Sequence, residues 1–217
     1  YFALDGGTKW LFWPALLLVG VLYGFPWVYV YLGLRNQMST AKYYSIDEAK
    51  ELVSPSNSVV VIEKDGVARA HPDSQILRPH LAGNDEGLNG QNVVMTYCAM
   101  ANLGIGYTPE IEGKKVDLEV LAQHGNNLIL RDNTTGEPIQ HIYGYREKDG
   151  KTGPAMKPWP TFRVSFRGFQ KAYPEGTVFL NKPPSNPLLR LFDMAMDTAF
   201  TSGIVRQHNE ADRKSVV

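Results

Sequence analysis

The chain has 217 residues, with 22 basic and 22 acidic side chains and no formal net charge. That balance removes the electrostatic footprint of a nucleic-acid binder, and 43% apolar with 20% charged residues excludes an intrinsically disordered chain. A single cysteine, Cys98, excludes an internal disulfide framework and any zinc site built on several thiolates.

From Trp10 to Leu34 there is no Lys, Arg, Asp or Glu. As a helix this stretch would span about 37 Å, more than a hydrocarbon core of about 30 Å, and in lipid only a helix satisfies its own backbone. Trp10, Phe12 and Trp13 at one end and Trp27, Tyr29 and Tyr31 at the other are placed as headgroup-level rings would be. Pro14 falls in the first turn, whereas Pro26 is interior and should kink the helix. Residues 1–40 are therefore expected to be an N-terminal transmembrane anchor, since the apolar core of a cleaved signal peptide is shorter. Gly20 and Gly24 form a small-xxx-small pair that would let another helix approach closely. Lys9 before the span and Arg35 and Lys42 after it are too few to orient it.

Residues 41–182 read as a β-rich α+β domain. Ser45-Ile46-Asp47-Glu48 is a capping box opening a short helix to about Leu52, and Pro55 stops it. Val59 to Glu63 and Val67 to His71 flank the turn signal Asp65-Gly66 as a hairpin. Asn92 to Cys98, Val116 to Ala122, Leu128 to Arg131 and Ile139 to Tyr143 are further strands, with a turn at Asn133 to Gly136. Lys148 to Pro160 is an exposed loop, Phe162 to Tyr173 a helix ended by Pro174, and Thr177 to Leu180 a last strand. Residues 183–217 hold Pro183, Pro184 and Pro187, then an amphipathic helix from Leu188 to Phe200, then a charged tail. In that helix Arg190, Asp193, Asp197 and Thr201 form a polar stripe, and the wide apolar face requires cover from the domain, a membrane surface or another subunit.

Several segments of the β-rich region carry a resemblance. They are Ser45 to Ala49, Val60 to Pro72, His80 with Asn84-Asp85, Val94-Met95-Thr96-Tyr97-Cys98, Asn127 to Asp132, Thr135-Gly136, Trp159-Pro160-Thr161 and Tyr173 to Thr177. Over Tyr44 to Leu180 the chain resembles a bacterial family known as domain of unknown function 3179, which reads Thr-Tyr-Cys-Pro-Leu-Cys where this sequence has Thr-Tyr-Cys-Ala-Met-Ala. Members of that family look exported, so the resemblance implies an extracytoplasmic, periplasmic domain. Ala101 stands in place of the family's second cysteine, so the disulfide cycling or metal clamping open to a Cys-x-x-Cys pair is not available here. The family's glutamine near the end of the next strand pair falls at Gln140 or His141.

Three readings of Cys98 stand side by side: a small buried hydrophobe at a strand end, a metal ligand, or a catalytic thiol. As a metal ligand it would join His80, His124 and His141, with Met100 on the same strand face, and thiolate, imidazole and thioether together favour copper. As a nucleophile it would need His80 or His124 as base and Asn84 or Asp85 to orient that base. His71 and His208 are weaker candidates. Gly104-Ile105-Gly106 lacks the context of a phosphate loop, and no acidic pair suits general acid–base work. The sequence thus leans away from an enzyme. Its leading expectation is a membrane-anchored accessory subunit, single-pass in a bacterial inner membrane, in contact with lipid and integral membrane subunits. A membrane-tethered copper protein and a cysteine-dependent enzyme are the alternatives.

Overall fold

A computed structural model of the chain describes residues 9–28 and 36–198. The chain divides into two units, Tyr1–Arg35 and Asn36–Val217. In the first, α1 runs over Lys9–Val28. Among the described residues no helix is long and apolar enough to cross a membrane. Over Lys9–Val28, Trp, Tyr, Pro and Gly residues interrupt and flank the aliphatic side chains of Ala15 to Leu22. The expected transmembrane anchor is thereby overturned, and with it the single-pass inner-membrane placement of a periplasmic domain. Residues 29–34 of the expected span lie outside the described residues.

The second unit is β-rich, as the sequence pattern implies. A five-stranded sheet has the order β1 (Tyr43–Ser45), β14 (Thr177–Phe179), β3 (Val67–Pro72), β2 (Ser58–Lys64), β13 (Thr161–Ser165). A four-stranded sheet runs β12 (Lys157–Pro158), β6 (Leu103–Thr108), β5 (Val94–Cys98), β4 (Leu81–Gly83), and a three-stranded sheet runs β11 (Pro138–Gln140), β10 (Asn127–Asp132), β9 (Leu118–His124). β7 (Glu110–Ile111) and β8 (Lys114–Lys115) form a separate small hairpin. Three short helices accompany them, α2 (Ile46–Ala49), α3 (Asp73–Ile76) and α4 (Phe166–Ala172), and α5 covers residues 187–198.

Strand alternation sorts the side chains into three cores. Val60 and Ile62 of β2 meet Met95 and Tyr97 of β5 in the first. Val59 and Val61 point the other way, against Phe166 and Phe169 of α4 and Ile46 and Ala49 of α2. Val94 and Cys98 of β5 face Leu118 of β9 and Leu128 and Leu130 of β10 in the third. Helices, five-stranded sheet, four-stranded sheet and three-stranded sheet thus stack in that order. Phe166 and Phe169 are fully buried, each contributing about 1.5–3 kcal/mol of transfer free energy.

The capping box forms as read: Ser45 Oγ accepts from the Glu48 amide and Glu48 reaches back to the Ser45 amide. The expected helix from Phe162 is corrected, because its first four residues pair with β2 as β13 and only Phe166–Ala172 is helical. Ser165 marks the switch, its hydroxyl capping the Gly168 amide at 3.1 Å. Within the expected loop Lys148 to Pro160, β12 pairs with the end of β6.

β6 itself carries Gly104 and Gly106, which weaken a strand pattern. A Cβ at Gly104 would lie 2.8 Å from Val60 Cγ2, and one at Gly106 would lie 3.0 Å from Ile62 Cγ2. The missing side chains let β6 pack directly on β2. Gly104→Val should therefore destabilise the domain by about 1–3 kcal/mol by overpacking, measured as a lower urea midpoint. An unchanged midpoint would refute this account of the close approach.

Candidate functional site

The sequence-selected side chains gather around β5, which is buried along its whole length. His80 follows α3, donates its amide to the Ile76 carbonyl at 3.0 Å and has φ of 60°. It occupies the left-handed position that commonly closes a helix, where glycine is usual. That bend delivers the chain into β4, beside β5. His141 follows β11, with its amide donating to the Leu128 carbonyl of β10 at 3.0 Å.

Both imidazoles are buried, His141 completely. Burial holds His80 down to about 4, the Tyr97 backbone partly offsetting this and nearby His141 lowering it further. Burial likewise holds His141 down to about 4, offset in part by the Thr96 backbone. Neither ring nitrogen of His141 has a well-formed hydrogen bond. Tyr107 Oη closes the far side, donating toward the carbonyls of His141 and Ile142 at 2.8 and 3.1 Å, and burial raises its phenol well above the usual range.

Cys98 is fully buried on the same face of β5 as Thr96. Its Sγ lies 3.6 Å from the Asn126 carbonyl and 3.8 Å from Gln123 Oε1, while Thr96 Oγ1 donates to the Ile105 carbonyl at 2.8 Å. The thiol's polar neighbours are thus amide and carbonyl groups. Met100 lies past the end of β5, half-buried against the third core. His124 is exposed at the end of β9, paired in register with Asn127. Asn84 accepts from Arg69 at 3.0 Å instead of orienting a histidine, and Asp85 is exposed.

Among the described residues no group of three or more His, Cys, Asp or Glu side chains is placed to hold a metal ion. The expected metal-binding, copper character is corrected accordingly. His80 and His141 come together, whereas His124 sits at a hairpin tip and Cys98 is engaged with Gln123 and Asn126.

A second buried polar group was only faintly legible in the sequence. His71 is fully buried on β3, with Nδ1 3.3 Å from the Val60 carbonyl and Nε2 3.1 Å from Tyr43 Oη. Its ring stacks on Phe179 at 6.1 Å, and Arg69 lies 4.1 Å over the Tyr43 ring. Burial takes His71 down to about 3, the Val60 carbonyl partly offsetting it and Arg69 adding to it. Burial also pushes Tyr43 up to about 12 against the pull of Arg69. Thr96, Tyr107, Gln123 and Tyr43 escaped the sequence reading because nothing in their local pattern marks them as neighbours of a distant histidine or, for Gln123, of Cys98.

These features define a layered β domain in which His71, His80 and His141 are neutral members of the core. The chain belongs to the family described as protein of unknown function DUF3179, whose model matches residues 37–193. No curated protein and no solved structure matches the chain.

The three depressed histidines fix a pH dependence. Each stays neutral when folded down to about 3–4 but takes up a proton near 6.5 when unfolded, so the unfolded state binds more protons in between. Stability should fall as pH drops below about 6.5, by up to about 1.4 kcal/mol per pH unit for each histidine. Urea unfolding at pH 7.5, 6.0 and 5.0 tests this, and His141→Leu should reduce the slope between pH 6.5 and 5. A parallel slope in that variant would show that His141 does not titrate on unfolding.

Proposed function

We propose that this chain is a non-catalytic accessory domain that works by docking on a protein partner through the outer face of α5. The observation that carries this reading is the ion-paired attachment of that helix, which leaves several of its large apolar side chains outside. A surface helix ordinarily turns its apolar stripe to the core. Here the inward side is centred on a polar contact: the buried Arg78 guanidinium donates to the Asp193 carbonyl at 2.9 Å and ion-pairs with its carboxylate, Phe192 and Met196 are half-buried, and the exposed Asp197 lies 3.8 Å from Arg78. Leu188, Leu191 and Met194 are left outside at 76%, 66% and 57% exposure. Contiguous apolar residues on a surface mark an interaction site, and a helix offering i, i+3 and i+6 anchors suits a groove on another protein. The closed surroundings of His80, His141 and Cys98 agree with a structural use of those side chains.

Two expectations test the proposal. Asp193→Ala leaves the buried Arg78 charge with only the exposed Asp197 carboxylate at 3.8 Å, short of the about 3–5 kcal/mol lost where a fully enclosed pair is broken outright. Because α5 can detach locally, the effect should be rapid hydrogen exchange in residues 187–198 with β2 and β5 still protected. A photo-crosslinker placed at Met194 in cells should give one discrete product that Leu188→Lys with Leu191→Lys removes and Arg190→Ala leaves. Absence of any product, together with a monodisperse monomer on isolation, would sink the docking reading.

A further inference from the structure

Away from α5 and the buried histidines, a cavity of about 220 Å³ opens where the chain passes from one sheet to the next. Pro158 pairs with Tyr107 in the four-stranded sheet, and Thr161 pairs with Ile62 in the five-stranded sheet. Trp159 and Pro160 bridge the two and form one wall. Trp159 is fixed from both ends: its amide donates to the Gly106 carbonyl at 2.8 Å and its indole Nε1 to Thr108 Oγ1 at 3.0 Å. Glu63 and Lys64 from the end of β2 and Lys157 of β12 also line it.

The lining carries two lysines and one carboxylate. The Glu63 carboxylate is turned to the backbone, accepting from the Gly66 amide at 2.6 Å. Lys64 has only the exposed carboxylate of Asp65, at 3.6 Å, and among the described residues no carboxylate pairs with Lys157. Two lysines thus share the lining with Trp159, whose indole is held, and with Pro158 and Pro160. The volume lies below the roughly 300–1,000 Å³ of drug-sized sites, so one ring fits and a dinucleotide does not.

We propose that this cavity binds a small planar carboxylate, its ring on Trp159 and its carboxylate between Lys64 and Lys157. The site is independent of the docking helix, and its test does not involve α5. The full chain is titrated with benzoate and with benzamide, its neutral isostere, while the indole N–H resonance of Trp159 is followed by NMR. Trp159→Phe identifies that resonance among the four tryptophans.

Benzoate should shift the resonance saturably, and benzamide should bind about tenfold more weakly. Exposed charge pairs are individually weak, so Lys64→Met or Lys157→Met alone should weaken benzoate about threefold and the double variant about tenfold. Benzamide binding and the melting temperature should stay unchanged in those variants. Raised salt should weaken benzoate alone. Equal binding of benzoate and benzamide, a shift that never saturates, or undiminished benzoate binding in the double variant would each overturn the assignment.

Discussion

Burial of β2 on both faces is the constraint on which the rest of the molecule depends. Val59 to Ile62 offer apolar groups alternately to either side, so each side must be covered by a further layer. One side takes α2 and α4. The other takes the four-stranded sheet, and that sheet can come close enough only because Gly104 and Gly106 present no side chain to Val60 and Ile62. β5 repeats the arrangement one layer on, with Met95 and Tyr97 toward β2 and Val94 and Cys98 toward the three-stranded sheet. Two doubly buried strands thus generate the stack of layers, and the passage between their sheets at Trp159 creates the cavity.

The same stacking accounts for the histidines. His71, His80 and His141 lie at strand and helix ends that the layers enclose, where a charged imidazole would lose its hydration without a carboxylate to replace it. They persist as neutral rings packed on Tyr43, Phe179 and the backbone of β5. Cys98 belongs to the same logic, a small polarizable group filling the third core.

How much was legible in the sequence depended on whether the signal was local. The hairpin of β2 and β3 was readable because an alternating β-branched run meets an Asp-Gly turn, and the Ser45 capping box because its two hydrogen bonds span three residues. β6 was hidden by its glycines, whose purpose is defined by a strand more than forty residues away. Phe162 to Val164 looked helical because the seam with β2 that makes them a strand is equally remote. The family resemblance held over residues 37–193. The membrane expectation rested on the length of a charge-free run and the aromatics at its ends, and it fell with the described helix. For the candidate histidines, burial and not the sequence decides what an imidazole can do. Lys64, Lys157 and Trp159 carried no joint signal, since only the crossing between two sheets brings them together.

The position of β14 has a consequence for synthesis of the chain. It lies inside the five-stranded sheet, antiparallel to β1 and parallel to β3, yet of the described strands it is the last to leave the ribosome. Until Phe179 emerges, β1 has no partner and β3 keeps an open edge, a template for pairing with other nascent chains. A polypeptide ending before Thr177 would therefore be sticky, not merely shorter.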